Sequence, residues 1–368
     1  MAEVKEAIAE IQVIKKNRWQ LEALLLPAVR SRRVREGLYF VGALLVALIG
    51  FALLLLLLGR DPIVTYTDIF NITLGSDYGR GEVIVKMIPL LLCALAVAVP
   101  ARVGLVNVGG EGQLYIGAWL ASWAALSLPQ LPPLLLLPLM LLMGMIGGGL
   151  SALLPALLRA FGWLNETIST LLLNYVAIFF VQFFVFGPWK DPTSANFPQS
   201  AAFVPAAQLP ALPGSRVHAG ILIGLVAAII LYLILHRTRW GYEMRAIGGN
   251  GEAARRVGIP VMLYIIGALV IGAAFAGIAG FGEVSAIQGR LVPNLSPGYG
   301  YIGFLVSWLA AHNPLTIVLM SLLLAVILAG GDTLQIGQHL PSASVNILMA
   351  LTLFVVLALR GRSEATQR

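Results

Sequence analysis

Charge is what this sequence has least of. Charged residues are 11% of its 368 and hydrophobic ones 59%, and the mean hydropathy is +0.89. A soluble domain needs far more charge to cover its surface, so that class is excluded and an all-α, polytopic membrane protein is expected. Cysteine is nearly absent. The single Cys93 lies inside an apolar run, which excludes a disulfide framework and leaves a small buried apolar residue. The dipeptide Gly-Lys does not occur, so no Walker A loop is present with which the chain could grip ATP itself. His218, His236, His312 and His339 stand far apart, with no Cys or carboxylate at metal-ligand spacing, and no serine nucleophile elbow appears. A membrane-embedded enzyme therefore lacks any clustered acid, base or metal set, and the histidines are read as membrane-interface residues. A cleavable signal peptide is not expected, because the first apolar run starts near Leu38, behind a long charged segment, and is long enough to span.

Long hydrophobic runs are what the sequence does have. They predict about ten spans, near 38–58, 83–101, 111–128, 133–155, 166–187, 218–236, 261–282, 300–312, 314–330 and 342–359. Three of them are weak. The run 111–128 opens with glycines and Glu111, while 300–312 and 314–330 are short and separated by His312-Asn313-Pro314. Broken or partial helices are expected where irregular backbone lines a pathway instead of facing lipid. Residues 1–36 form a basic, helix-prone arm expected to lie against anionic headgroups at the cytoplasmic face, not on nucleic acid. Residues 37–360 form the transmembrane domain and 361–368 a cytoplasmic tail.

The distribution of basic residues tests this arrangement. With the N-terminus inside, eighteen of the 24 Lys and Arg fall in cytoplasmic segments, including Arg102, Arg159, Arg237, Arg239, Arg245, Arg255 and Arg256. Arg60, Arg80, Lys86, Lys190, Arg216 and Arg290 fall outside. Such a bias supports both the count and cytoplasmic N- and C-termini. The longest external loop is 188–217, stiffened by six prolines; 59–82 and 283–299 complete an outer surface that could receive a partner.

Three polar constellations interrupt the apolar background. Between two spans lies Gly241-Tyr-Glu-Met-Arg-Ala-Ile-Gly-Gly-Asn-Gly-Glu-Ala-Ala-Arg-Arg-Val-Gly-Ile259, too short to build a core but able to present one or two helical turns to a partner. Gly248-Gly249-Asn250-Gly251 is expected to end one short helix and start the next, with Asn250 as cap. Ala253, Ala254 and Gly258 would allow close approach, and Glu252, Arg255 and Arg256 would fix register; the alternative is an ordinary basic loop that binds nothing. In the second, Asn107, Glu111 and Gln113 stand among Gly104, Gly109, Gly110, Gly112 and Gly117, which implies close helix packing or a non-helical break. Glu111 is either a functional group facing water or a cap near the headgroups with Arg102 as partner. In the third, Asn165 is a candidate cap with Glu166 at the positive helix end, and Thr167, Thr170, Asn174 and Tyr175 carry polarity into the membrane. Thr167, Thr170 and Asn174 share a face that either lines a pathway or glues helices together.

These passages coincide in one family. Glu252-Ala253-Ala254, three residues, then Gly258 resembles the docking loop of ATP-binding-cassette (ABC) transporter permeases. Val106-Asn-Val-Gly-Gly-Glu-Gly-Gln113 resembles a signature of the simple-sugar and nucleoside, ribose-permease-like importer branch. Asn165–Tyr175 followed by Gly187-Pro-Trp-Lys-Asp-Pro192 is similar to its nucleoside members, and Pro297-Gly-Tyr-Gly-Tyr-Ile-Gly303 to its late external loop. The resemblance covers roughly 85–335; Gly110 stands where the branch usually has alanine, and Phe304-Leu305 is bulkier than the small residues expected there. It implies a multi-pass subunit of the cell membrane with no cofactor on this chain, ATP and Mg belonging to a partner ATPase. A second homologous permease chain, forming a heterodimer, and an extracytoplasmic solute-binding protein are the other implied partners. In that reading Glu252, Ala253, Ala254, Arg255, Arg256 and Gly258 couple to the ATPase, and Asn107, Glu111, Gln113, Asn174 and Tyr175 are candidates to line the pathway for nucleosides or simple sugars. The competing class is an ion-coupled secondary transporter. It needs carboxylates deep in the membrane, where the spans hold little beyond Glu111.

Overall fold

A computed structural model describes residues 32–194, 197–338, 346–351 and 354–355. The basic arm through residue 31, most of the run 342–359 and the tail 361–368 lie outside the described residues. The chain divides into two compact units. One, Met1–Pro62 with Asn346–Arg368, contains α1 (Arg32–Leu57) and the helical stretch 346–351; Leu351 Cδ1 stands 3.6 Å from where Gly50 would carry a Cβ.

The other unit, Ile63–Val345, holds the rest. Its helices are α2 (Pro62–Thr73), α3 (Asp77–Ala101), α4 (Gly110–Ser127), α5 (Pro133–Ala160), α6 (Glu166–Phe186), α7 (Gly220–Arg237), α8 (Arg239–Gly249), α9 (Gly251–Arg256), α10 (Val261–Gly282), α11 (Tyr299–Leu309) and α12 (Pro314–Gln338). Apart from two isolated bridges in the loop after α6, the described residues form no strand. Six helices are long and apolar enough to cross a membrane, or up to seven if Leu44–Leu57 and Pro62–Thr73 make one span. Helices thus occupy the predicted runs from 38–58 through 314–330, with α11 too short to cross alone.

The core follows from where small side chains fall. Helix α3 is buried along nearly its whole length, with α10, α11 and α12 packed around it. Beside it α4, α5 and α10 pack against one another through glycines. A Cβ on Gly148 of α5 would lie 2.8 Å from the Gly277 nitrogen and 2.9 Å from its Cα in α10, so only glycine lets these backbones approach so closely. With no water to drive helices together in lipid, that van der Waals contact is what holds them. Outer faces are the reverse: Phe179 and Phe183 of α6 are each 65% exposed, an apolar surface suited to lipid tails.

The proline-rich loop after α6 is folded, not free. It is zipped to the segment following α10, where Glu283–Gln288 continues the helix as a π turn. Phe203 N donates to Gly289 O (2.8 Å), Ser200 N to Leu291 O (3.0 Å) and Ser285 Oγ to Ala207 O (2.7 Å). Two of the three loops assigned to the outside by charge therefore form one surface.

Candidate functional site

The loop joining α7 to α10 is a two-helix hook. Thr238 caps α8, its hydroxyl accepting from Gly241 N at 3.3 Å. Within α8, Arg239 Nε lies 2.6 Å from Glu243 Oε1, and the Tyr264 hydroxyl donates to the other carboxylate oxygen. The Tyr264 hydrogen bond first, and Arg239 after it, hold the Glu243 carboxyl below its usual range. Asn250 ends α8 and starts α9 as expected, with Oδ1 accepting from Glu252 N (3.1 Å) and Ala253 N (3.0 Å). Glu252, Ala253, Arg255, Arg256 and Val257 are exposed, whereas Ala254 is buried and packs into the chain itself. Ala253, Arg256 and Val257, at helical spacing, are thus the outward face. The Glu252–Arg256 pair, at 3.7 Å and well exposed, adds little. Gly258 has φ +86°, with nothing within 4 Å of its would-be Cβ. Glycine is required there by the turn out of α9, a local reason that close approach by a partner does not need.

The second cluster lies where α4, α6 and α11 meet. Residues 105–108, between the turn after α3 and the start of α4, are not helical, so their backbone groups need other partners. Side chains of α6 supply them. Val106 N donates to Glu166 Oε1 (3.2 Å), Val108 N to Thr170 Oγ1 (3.2 Å), and Asn174 Nδ2 to Val108 O (2.9 Å). Asn174 Oδ1 accepts from Gly112 N at 2.8 Å. Arg159 holds the other Glu166 oxygen at 2.9 Å, and Asn165 caps α6 through Thr167 N at 2.8 Å. Asn107 and Gln113 pair amide to amide at 2.9 and 3.0 Å, both buried. On the shared face of α6, Thr170 and Asn174 thus hydrogen-bond the backbone of 108–112.

Glu111 is 2% exposed, and its Oε2 accepts from Gly300 N at 2.7 Å, the first turn of α11. Glu111 does lie in the first turn of α4, but Arg102 as its partner is corrected: Arg102 Nη2 donates instead to His312 O at 3.2 Å. Tyr115, one turn further along α4, accepts weakly from Ser296 N (3.4 Å) in the same late loop. Two helix N-termini thus converge on one carboxylate, a favourable place for an anion. Of the pathway candidates, Asn107, Glu111, Gln113 and Asn174 are buried with protein partners, while Tyr175 is 55% exposed. Sequence reasoning marked the Pro297–Gly303 stretch and the His312-Asn313-Pro314 break but missed that Ser296, Gly300 and His312 meet Tyr115, Glu111 and Arg102; Gly298 in that stretch has φ +98°.

Residues 79–357 match the family described as the branched-chain amino acid transport system permease component. The chain belongs to that family. It is a multi-pass membrane transport subunit, and no enzymatic step is its own. The permease is 37% identical over 314 residues to the glucose ABC transporter permease protein TsgB13 of Haloferax volcanii, covering 82% of each chain. It is 31% identical over 318 residues to the nucleoside ABC transporter permease protein NupB of Lactococcus lactis, covering 83% of this chain and 86% of that one. With the guanosine ABC transporter permease protein NupP of Bacillus subtilis it shares 31% over 317 residues, 85% and 91% of the two chains. These likenesses agree with the resemblance to sugar and nucleoside permeases, and the permease is an ABC transporter subunit. No solved structure matches it.

Proposed function

We propose that this permease forms, with a second homologous permease chain, the pathway of an ABC importer for nucleosides or simple sugars in the cell membrane. Nucleosides are favoured by the 165–191 stretch and by the named substrates of two relatives; the glucose permease keeps sugars next. An extracytoplasmic binding protein delivers solute to the surface built by the loops after α6 and α10. A separate ATPase, carrying ATP and Mg, docks on the α8–α9 hook at the cytoplasmic face. About ten spans, counting α4 and α11 as partial ones, with both termini inside, complete this topology. The observation that carries the reading is the hook itself: a capped pair of short helices with Ala253, Arg256 and Val257 turned outward in a chain of this family. Val257 is 77% exposed, an apolar side chain that a partner would cover.

ATP binding would close the ATPase and swing the permease outward, and hydrolysis would reset it. Each ligand must favour one state by a few kcal/mol for that cycle to run, about 5.5 kcal/mol for a near-complete switch. The deciding experiment is a pull-down of the tagged chain from mild detergent with mass spectrometry. Recovery of a Walker-motif ATPase and a second polytopic chain in stoichiometric amounts is expected. A lone chain whose transport needs no ATP would refute the proposal in favour of ion coupling.

A further inference from the structure

One stretch of chain, residues 102–111, grips the half-helix α11 at both ends. At its C-terminal turn, Arg102 Nη2 donates to His312 O at 3.2 Å. At its N-terminal turn, Glu111 Oε2 accepts from Gly300 N at 2.7 Å. A cation at the carboxyl end and a carboxylate at the amino end are the arrangement the helix dipole favours. The C-terminal turn is also strained: Ala311 and His312 hold φ of 50° and 57°, a region few non-glycine residues occupy. Ser307 Oγ lies 3.1 Å from His312 Nδ1, so the turn is tied back onto α11 itself. Such strain persists only where the surroundings over-determine it.

The same stretch touches the hook. A Cβ on Gly248 of α8 would lie 2.5 Å from Arg102 O and 3.4 Å from Gly104 N. Helix α8 therefore rests directly on the turn that carries Arg102. Contact runs without a gap from α8 to the Arg102 turn, and from there to both ends of a helix too short to cross the membrane alone.

We propose that Arg102 and Glu111 are positioning residues that make α11 move with the α8–α9 hook, so that 102–111 acts as a strap between the docked ATPase and the middle of the permease. The proposal rests on the docking reading above. Its test uses the whole complex in nanodiscs and proteoliposomes, with spin labels at Tyr242→Cys, on α8 away from the Ala253, Arg256 and Val257 face, and Ala311→Cys, both exposed positions; the native Cys93 is fully buried. With Arg102 intact, the distance between the labels stays the same with and without nucleotide. In Arg102→Gln it changes with nucleotide, and solute carried per ATP hydrolysed falls about tenfold, the expected loss of one charge-assisted hydrogen bond. Arg102→Lys restores most of the ratio, which loss of packing alone would not allow. If Arg102→Gln does not assemble, Gly248→Ala wedges α8 off the strap with Arg102 in place and is expected to lower the ratio likewise. A wild-type ratio in the assembled Arg102→Gln complex, or in Gly248→Ala, would overturn the strap while leaving the docking function standing. No ATPase in the purified complex would overturn both, and would be seen before any variant is made.

Discussion

Asn174→Leu separates the two roles open to the polar face of α6. The Asn174 side chain donates to Val108 O at 2.9 Å and accepts from Gly112 N at 2.8 Å. Asn174 is 1% exposed; its bond to Gly112 N is buried and its bond to Val108 O part-buried. Leucine is close in volume but removes the partner of one buried N–H and one part-buried C=O. Each orphaned group costs about 1–3 kcal/mol in water-soluble proteins, and membrane hydrogen bonds average nearer 0.6 kcal/mol. A total of about 2–4 kcal/mol is therefore expected, toward the low end if the 105–108 segment relaxes. For a chain of 368 residues that lowers Tm by roughly 3–5 °C. The assay is thermal unfolding of the purified permease followed by tryptophan fluorescence, with Tyr175→Phe as reference. Tyr175 is 55% exposed, and its variant should keep the wild-type Tm. A wild-type Tm for Asn174→Leu together with lost solute uptake would refute the reasoning, since the amide would then serve solute and not the backbone.

Gly148→Ala should cost about 1–3 kcal/mol and yield heterogeneous elution from detergent, because its Cβ would sit 2.8 Å from the Gly277 nitrogen. Gly267→Ala on α10, with nothing within 4 Å, should elute as wild type. Gly258→Ala places an L side chain at φ +86° and should loosen the turn out of α9 by about 1–2 kcal/mol, seen as faster amide exchange over 251–260. Gly258→Asp adds a charge at the docking surface and should further reduce transport per ATP. Glu243, whose pKa is lowered by Tyr264 and then Arg239, favours the folded hook at pH above the ordinary glutamate range. That contribution is lost as pH falls through the lowered value; amide exchange in α8 should quicken there in the wild type, and the acid-side change should vanish in Glu243→Gln.

The sequence by itself determined the class of molecule and most of its local structure. Apolar runs of eighteen residues or more can only be helices in a bilayer, because every backbone group must be satisfied within its own segment. Caps are equally local: Asn250 and Asn165 reach amides two or three residues away, so their roles were legible from neighbours. Glycines among Asn107, Glu111 and Gln113 announced a break. What the break is held by was not legible. Glu111 meets Gly300, 189 residues on, and Arg102 meets His312, 210 residues on. Those pairings depend on how α3, α4 and α11 pack, and nothing in the spacing of one segment encodes where another will lie. Gly258 shows the same limit on a smaller scale: its spacing after Ala254 marked the hook, but only the backbone angle revealed that the turn itself demands glycine. Local hydrogen bonds and hydropathy are settled within a few residues, whereas the partner of a buried polar group is chosen by tertiary packing, which alone decides what is near enough to satisfy it.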